Sequence, residues 1–292
     1  MPEGPAPAPV IQRLRVRYAK RGRLRFTSHR DISRAVERAV RRAGIPVAFS
    51  AGFTPHPKIS YAGAAATGVA SEAEYLEIGL TDARDPARVR ADLDAALPDG
   101  LDILDVVPVP DGQPLADRLQ ASEWLIRLDG IAPGDAADAV SAFLAADVIE
   151  VERLTKKGRR RFDARAAVSA LEVLSDAHTG GQISEYGLDR RANRVTEAPC
   201  VILRMVVRHS TPAVRPDDVL TGLRQVADLA PPSPPLVTRL AQGPLDAAGD
   251  LADPLDPDWK AVVPPGDDAM AALGAAHAPV QATETDAVSA HP

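Results

Sequence analysis

Between Arg13 and Arg17 the chain reads RLRVR, basic and apolar residues in strict alternation. A period of two suits a strand that buries one face: Leu14 and Val16 fall on one side, and Arg13, Arg15 and Arg17 form a row on the other. After a Lys20-Arg21-Gly22 turn the period changes. Ser28 and Asp31 have the spacing of a helix N-terminal cap, and Ile32, Ala35, Val36, Ala39, Val40 and Ala43 make the i, i+3, i+4, i+7 stripe that a helix buries. Gly44-Ile45-Pro46 stops this helix, whose outer side carries Arg34, Arg38, Arg41 and Arg42. A half-buried strand running directly into an amphipathic helix commits the segment to an α+β unit.

Further along, Val47 to Phe49 is a short apolar piece, Ile59 to Ala62 and Glu74 to Leu80 are strand candidates, Pro86 to Leu97 has a helical pattern, and Leu101 to Val109 is another apolar run. Residues 12 to 110 therefore read β-α-β-β-α-β, the ferredoxin-like order. The order begins again with a strand at Trp124 to Leu128 and a helix at Pro133 to Ala145. A hairpin follows, Val148 to Leu154 with Phe162 to Leu174 around Thr155-Lys156-Lys157-Gly158. A strand at Cys200 to Val207 and a helix at Pro216 to Leu229 complete the second set. A chain of 292 residues has room for both. The expectation is an α+β fold of two tandem ferredoxin-like (βαββαβ) domains: a disordered N-terminus at 1–10, domain 1 at 11–112 and domain 2 at 119–229. A disordered acidic Ala/Pro-rich C-terminal tail occupies 230–292, where the composition argues against burial of enough apolar surface to fold.

The net charge of −6 argues against a polyanionic partner, but it averages over a strong asymmetry. Residues 11–60 hold thirteen Lys or Arg against Asp31 and Glu37, while residues 230–292 hold two bases against nine acids. An arginine-rich body with an acidic tail points to polyanion binding under self-screening. The single cysteine, Cys200, rules out a disulfide framework and any multi-thiolate metal centre built by this chain alone. With no apolar run of membrane-spanning length, the chain reads as a cytoplasmic protein with no membrane partner and no cofactor of its own.

Two stretches carry candidate chemistry. In AGFTPHPKISYAG, His56 is held between Pro55 and Pro57, each of which fixes its own φ and restricts the residue before it. With Lys58, Tyr61 and the helix-start His29, it is a candidate for acid–base work or phosphate contact. No tight ligand spacing links His29, Asp31 and His56, so a metal site ranks low. In ERLTKKGRRRFDAR, Arg153, Lys156, Lys157, Arg159, Arg160, Arg161 and Arg165 crowd one hairpin, with Phe162 as a possible stacking ring. The nucleic-acid-binding set expected from both regions is Arg13, Arg15, Arg17, Arg34, Arg38, Arg41, Arg42, Lys58, Lys156, Lys157, Arg159, Arg160 and Arg161.

The run from Leu24 to Leu80 resembles the core of the radical-SAM-linked domain of unknown function, found alone or fused behind a cobalamin-binding radical SAM enzyme. The resemblance rests on a helix start at Ser28, His29 and Asp31, the arginine-rich helix, and the loop Gly52, Phe53, Pro55, His56, Pro57, Lys58. It extends over about residues 10–230. Thr54 and Arg30 stand where Asn and an apolar residue are more usual. The likeness implies an association with radical chemistry, which needs three cluster cysteines and must therefore take place on a partner.

The leading functional expectation is an RNA-binding accessory protein that presents RNA, tRNA or ribosomal RNA, to a separate radical SAM enzyme or RNA-processing complex. One alternative is a metal-independent endoribonuclease resembling CRISPR-repeat-processing enzymes, with His29 as base, Tyr61 or His56 as acid and Lys58 as the cation facing the phosphorane. Another is a protein-interaction module whose basic surface docks acidic partners, its own tail included.

Overall fold

The computed structural model describes residues 7–110, 114–155, 158–174, 199–246 and 249–262. The chain is a mixed α/β protein built on one large mixed sheet. The first half supplies β1 (Gln12–Lys20), a 3-10 turn at Gly22–Phe26, α1 (His29–Arg42), β2 (Ile59–Ala62), β3 (Ala70–Leu80), α2 (Pro86–Ala96) and β4 (Leu101–Pro108). A short helix, α3 (Leu115–Arg118), leads to β5 (Ala121–Asp129), α4 (Pro133–Ala145), the hairpin β6 (Glu150–Thr155) and β7 (Gly158–Asp163), β8 (Val168–Leu174), β9 (Cys200–Arg208) and α5 (Pro216–Ala227). Beyond these lie β10 (Leu236–Gly243) and α6 (Asp256–Val262).

The helix boundaries follow from local chemistry. The Ser28 hydroxyl accepts from the Asp31 N–H and donates to the Asp31 carboxylate, closing the first turn of α1. Asp85 caps α2 by accepting from the Ala87 and Arg88 N–H groups, with Pro86 at the first helical position, where its missing N–H costs nothing. Along α1, Ile32, Val36, Ala39 and Val40 are buried, as the apolar stripe requires.

The strands run β4-β1-β3-β10-β5-β9-β8, with β2 alongside β3. Among the described residues every strand pairing is antiparallel except that of β10 with β3, which is parallel and brief: Thr238 and Arg239 face Ala70 and Ser71. On its other edge β10 runs antiparallel to β5 along its length. The strand that fuses the halves thus comes from the segment expected to be a disordered tail. Thr238 and Arg239 there are 3 % and 4 % exposed. An average composition over the whole segment hides the eight residues LVTRLAQG, which suffice for a strand.

Among the described residues, the four long helices lie on one face of the sheet. α1 and α2 pack on Leu14, Val16, Tyr18, Leu76 and Ile78, while α4 and α5 pack on Ile126, Leu128, Val201 and Leu203. Gly222 lets α5 approach α4, because a Cβ there would stand 2.8 Å from the Phe143 ring. Continuity of the face across the junction depends on a bulge. Tyr18 faces Glu74 but Lys20 faces Ser71, so β3 carries one extra residue between them, and both Ser71 and Glu74 project to the helix side. There they meet Arg239, whose register partner on β5 is Trp124.

The opposite face of the first half is covered by the chain itself. Ala73, Tyr75, Val107, Leu115, Leu119 and Leu255 form a small core there, with Ala62 and Trp259 against it. The expected second hairpin is also rearranged. Phe162 to Leu174 is not one strand: β7 ends at Asp163 and pairs only with β6, whereas β8 joins the main sheet beside β9.

Candidate functional site

The row of guanidinium groups on β1 does not face solvent. Arg15 is buried, its Nε 2.9 Å from Glu77 and its Nη1 2.7 Å from Asp258. Arg118 binds the same Asp258 carboxylate from α3. Arg17 pairs with Asp105 at 2.7 Å and approaches Asp253 at 3.9 Å. Two members of the expected nucleic-acid set, Arg15 and Arg17, therefore serve the fold. Alternation identified the face correctly but could not reveal that an acidic segment would cover it. Arg13, on the same face, is exposed.

The arginines of α1 present a different picture. Arg30, Arg34, Arg38, Arg41 and Arg42 are exposed. Arg34 meets Asp31 at a loose 3.5 Å and Arg42 donates to the Ala96 carbonyl. In the hairpin, Arg159, Arg160 and Arg161 are exposed, with Glu152 shared between Arg159 and Arg161. Lys156 and Lys157 lie outside the described residues. Phe162 is no stacking platform: it is buried, with the Arg153 guanidinium 4.9 Å from its ring centre.

Of the candidate catalytic groups, His29 and Tyr61 come together, their rings edge to face with centres 5.0 Å apart. Burial pushes the Tyr61 phenol up to about 12. His56 sits in a narrow excursion braced by Ser50, whose N–H donates to the His56 carbonyl and whose hydroxyl accepts from the His56 N–H. The excursion ends in Phe53, which is 94 % exposed. Lys58 stands elsewhere. Tyr61 packs toward the α1 side, whereas the Lys58 Cβ lies where a Cβ on Gly79 would make contact, on the reverse side of β3. Strand alternation thus separates Lys58 from the His29–Tyr61 pair.

Sequence reasoning did not anticipate a cleft on the helix-bearing face of the sheet. It lies above β10 and β5, has a volume of about 500 Å³, and is lined in part by the Gly63–Ala66 turn, Trp124, Val237, Arg239 and Gln242. Gly63 is at φ +59°, and a Cβ there would stand 2.5 Å from the Gln242 Oε1. The turn is tied down by Lys20 Nζ, which donates to the Ala65 and Ala66 carbonyls, and by the Glu74 carboxylate, which accepts from the Ala65 N–H. Burial holds the Lys20 ammonium below its ordinary pKa, with Glu74 opposing. On the other wall, His209 Nδ1 lies 2.7 Å from the Leu119 carbonyl, which can only accept, so Nδ1 carries the proton. Its Nε2 then accepts from the Ser122 hydroxyl, also at 2.7 Å. Tyr61, against which His29 packs, lies two residues before the lining turn, and Arg153 of the hairpin donates to the carbonyl of Ala213, another lining residue.

Among the described residues no three His, Cys, Asp or Glu side chains are grouped to hold a metal ion, and no helix is long and apolar enough to cross a membrane.

Fold and site define a mixed α/β protein whose large sheet bears the long helices of the described residues on one face, with a cleft over β10 and β5. The chain belongs to the family described as uncharacterized protein conserved in bacteria (DUF2344), which matches residues 13–216. No curated protein matches it. Among solved structures, a Cbf5-Nop10-Gar1 complex aligns at a TM-score of 0.39 and 12 % identity over 78 % of this chain and 48 % of that one. An archaeal box H/ACA sRNP Nop10-Cbf5 complex aligns at 0.37 and 13 % identity over 85 % and 53 %. The chain spans about half the length of these solved chains.

Proposed function

We propose that this protein is an RNA-binding accessory factor, two ferredoxin-like units fused edge to edge, whose helix-bearing face receives the RNA. The observation that supports the reading is that arginines stand exposed on α1, which packs on the helix-bearing side of the first half, and on the β6–β7 hairpin, whose Val151 and Phe162 pack with α4 and α5 in the core of the second. Phosphate contacts from such side chains supply affinity without reading sequence. The RNA is presented to a separate protein; the radical-SAM-linked resemblance makes a radical SAM enzyme the natural recipient, since Cys200 alone cannot hold a cluster. Nuclease action is the weaker reading, because Lys58 lies across the strand from His29 and Tyr61.

The test is binding of a fluorescent single-stranded RNA by anisotropy at several salt concentrations. Affinity should fall linearly with salt on a log–log plot, with a slope of about −0.7 per neutralised phosphate. Combining Arg38→Glu, Arg41→Glu, Arg160→Glu and Arg161→Glu should weaken binding at least tenfold and flatten that slope. Affinity untouched by all four changes would overturn the proposal.

A further inference from the structure

We infer that the cleft takes up one nucleotide of the bound RNA strand, its base against Trp124 and its phosphate facing Arg239; this rests on the RNA-binding reading above. A volume of about 500 Å³ falls within the range of small-ligand pockets, and the walls include Val69, Trp124, Val207, Val214 and Val237. The Trp124 ring is partly exposed and has the Arg239 guanidinium 5.5 Å from its centre. Stacking on an aromatic ring suits any base, so this wall selects for a nucleotide without selecting which one.

The charge beneath the cleft is unbalanced. Lys20 and Glu74 are each 1 % exposed and Arg239 is 4 % exposed, so two buried cations share one carboxylate. Arg239 gives Nη2 to Glu74 and Nε to Ser71 Oγ, which leaves Nη1 without a hydrogen-bond partner among the described residues. Lys20 Nζ meets two carbonyls and no carboxylate. At the rim Arg215 and Asp217 offset one another in sign. Cations removed from water without a matching counter-charge are costly, and an anion entering the cleft relieves that cost. A lone carboxylate or inorganic phosphate would satisfy the charge but leave the aromatic wall unused, whereas a nucleotide uses both.

The chain has two tryptophans, Trp124 and Trp259, and Trp259 packs on the reverse face. In full-length protein carrying Trp259→Phe, Trp124 is the only emitter. Titration with a ten-nucleotide single-stranded RNA should change its emission along the same curve as anisotropy. Trp124→Leu should weaken RNA binding by about tenfold, and Trp124→Phe should restore most of it; thermal melts confirm that each variant is folded. Salt-dependent RNA binding with unchanged Trp124 emission and no loss in Trp124→Leu would overturn the cleft assignment while leaving the RNA-binding reading intact. Absence of RNA binding would remove the reading itself. Saturation of the Trp124 signal by adenosine monophosphate, in a protein that ignores the oligonucleotide, would replace the strand by a free nucleotide and so overturn the inference.

Discussion

Arg15 and Asp258 stand 243 residues apart in the chain and share a buried ion pair, with the guanidinium Nη1 2.9 Å from Oδ1 and 2.7 Å from Oδ2. Asp258 is fully buried and also serves Arg118. Removing it leaves two arginine side chains, 1 % and 11 % exposed, short of a counter-charge. Asp258→Asn should lower unfolding free energy by about 3–5 kcal/mol. Urea denaturation measures this, and a change below about 1 kcal/mol would mean that α6 is not docked in solution.

Stability and binding should separate between the two sets of arginines. Arg15→Met should shift the urea midpoint and leave RNA affinity in the folded protein intact. Arg38→Glu with Arg41→Glu, on the exposed side of α1, should move stability by no more than about 0.5 kcal/mol per site while weakening RNA binding. The reverse pattern would place the polyanion surface on the other side of the sheet.

Ending the chain after Leu229 removes β10 and leaves the facing edges of β3 and β5 unpaired in the middle of the sheet. The shortened protein should be insoluble or aggregate, as exposed strand edges do. A soluble, cooperatively melting product by circular dichroism would show that each half closes without the shared strand.

Gly63 should resist substitution. Its φ of +59° already disfavours a side chain, and the added Cβ would meet Gln242 Oε1 at 2.5 Å and Leu119 Cδ1 at 2.9 Å. Gly63→Ala should cost about 1–3 kcal/mol from backbone conformation alone, before the clash. Differential scanning fluorimetry reads it out, and an unchanged melting temperature would mean that the turn has another shape.

His209 makes stability depend on pH near neutrality. Burial lowers its pKa from 6.5, with the Leu119 carbonyl opposing. The unfolded chain therefore takes up the proton first as pH falls, so this contribution is complete above 6.5 and is lost as pH drops from 6.5 toward the folded value. Asp218 and Asp253, raised from 3.8 by burial, act in the opposite sense at more acidic pH. Denaturation midpoints should thus decline just below pH 6.5, and His209→Gln should flatten that decline; equal slopes in both proteins would rule the group out.

The alternation at Arg13–Arg17, the Ser28–Asp31 cap and the stripe of α1 were legible because each depends on neighbours within a few residues, where steric and hydrogen-bonding preferences act directly. The exposed arginines of α1 could be read the same way, since a helix fixes which side chains share a surface. No local pattern could report that Arg15 would face Asp258, that one extra residue in β3 would turn Ser71 and Glu74 toward Arg239, or that LVTRLAQG would lie between the halves. Those outcomes belong to the tertiary structure, because burial, counter-charge and strand neighbours are set by segments far apart in the chain. The cleft has the same origin: its walls come from the Gly63 turn, β5, the start of α5 and β10, and its chemistry exists only once they meet.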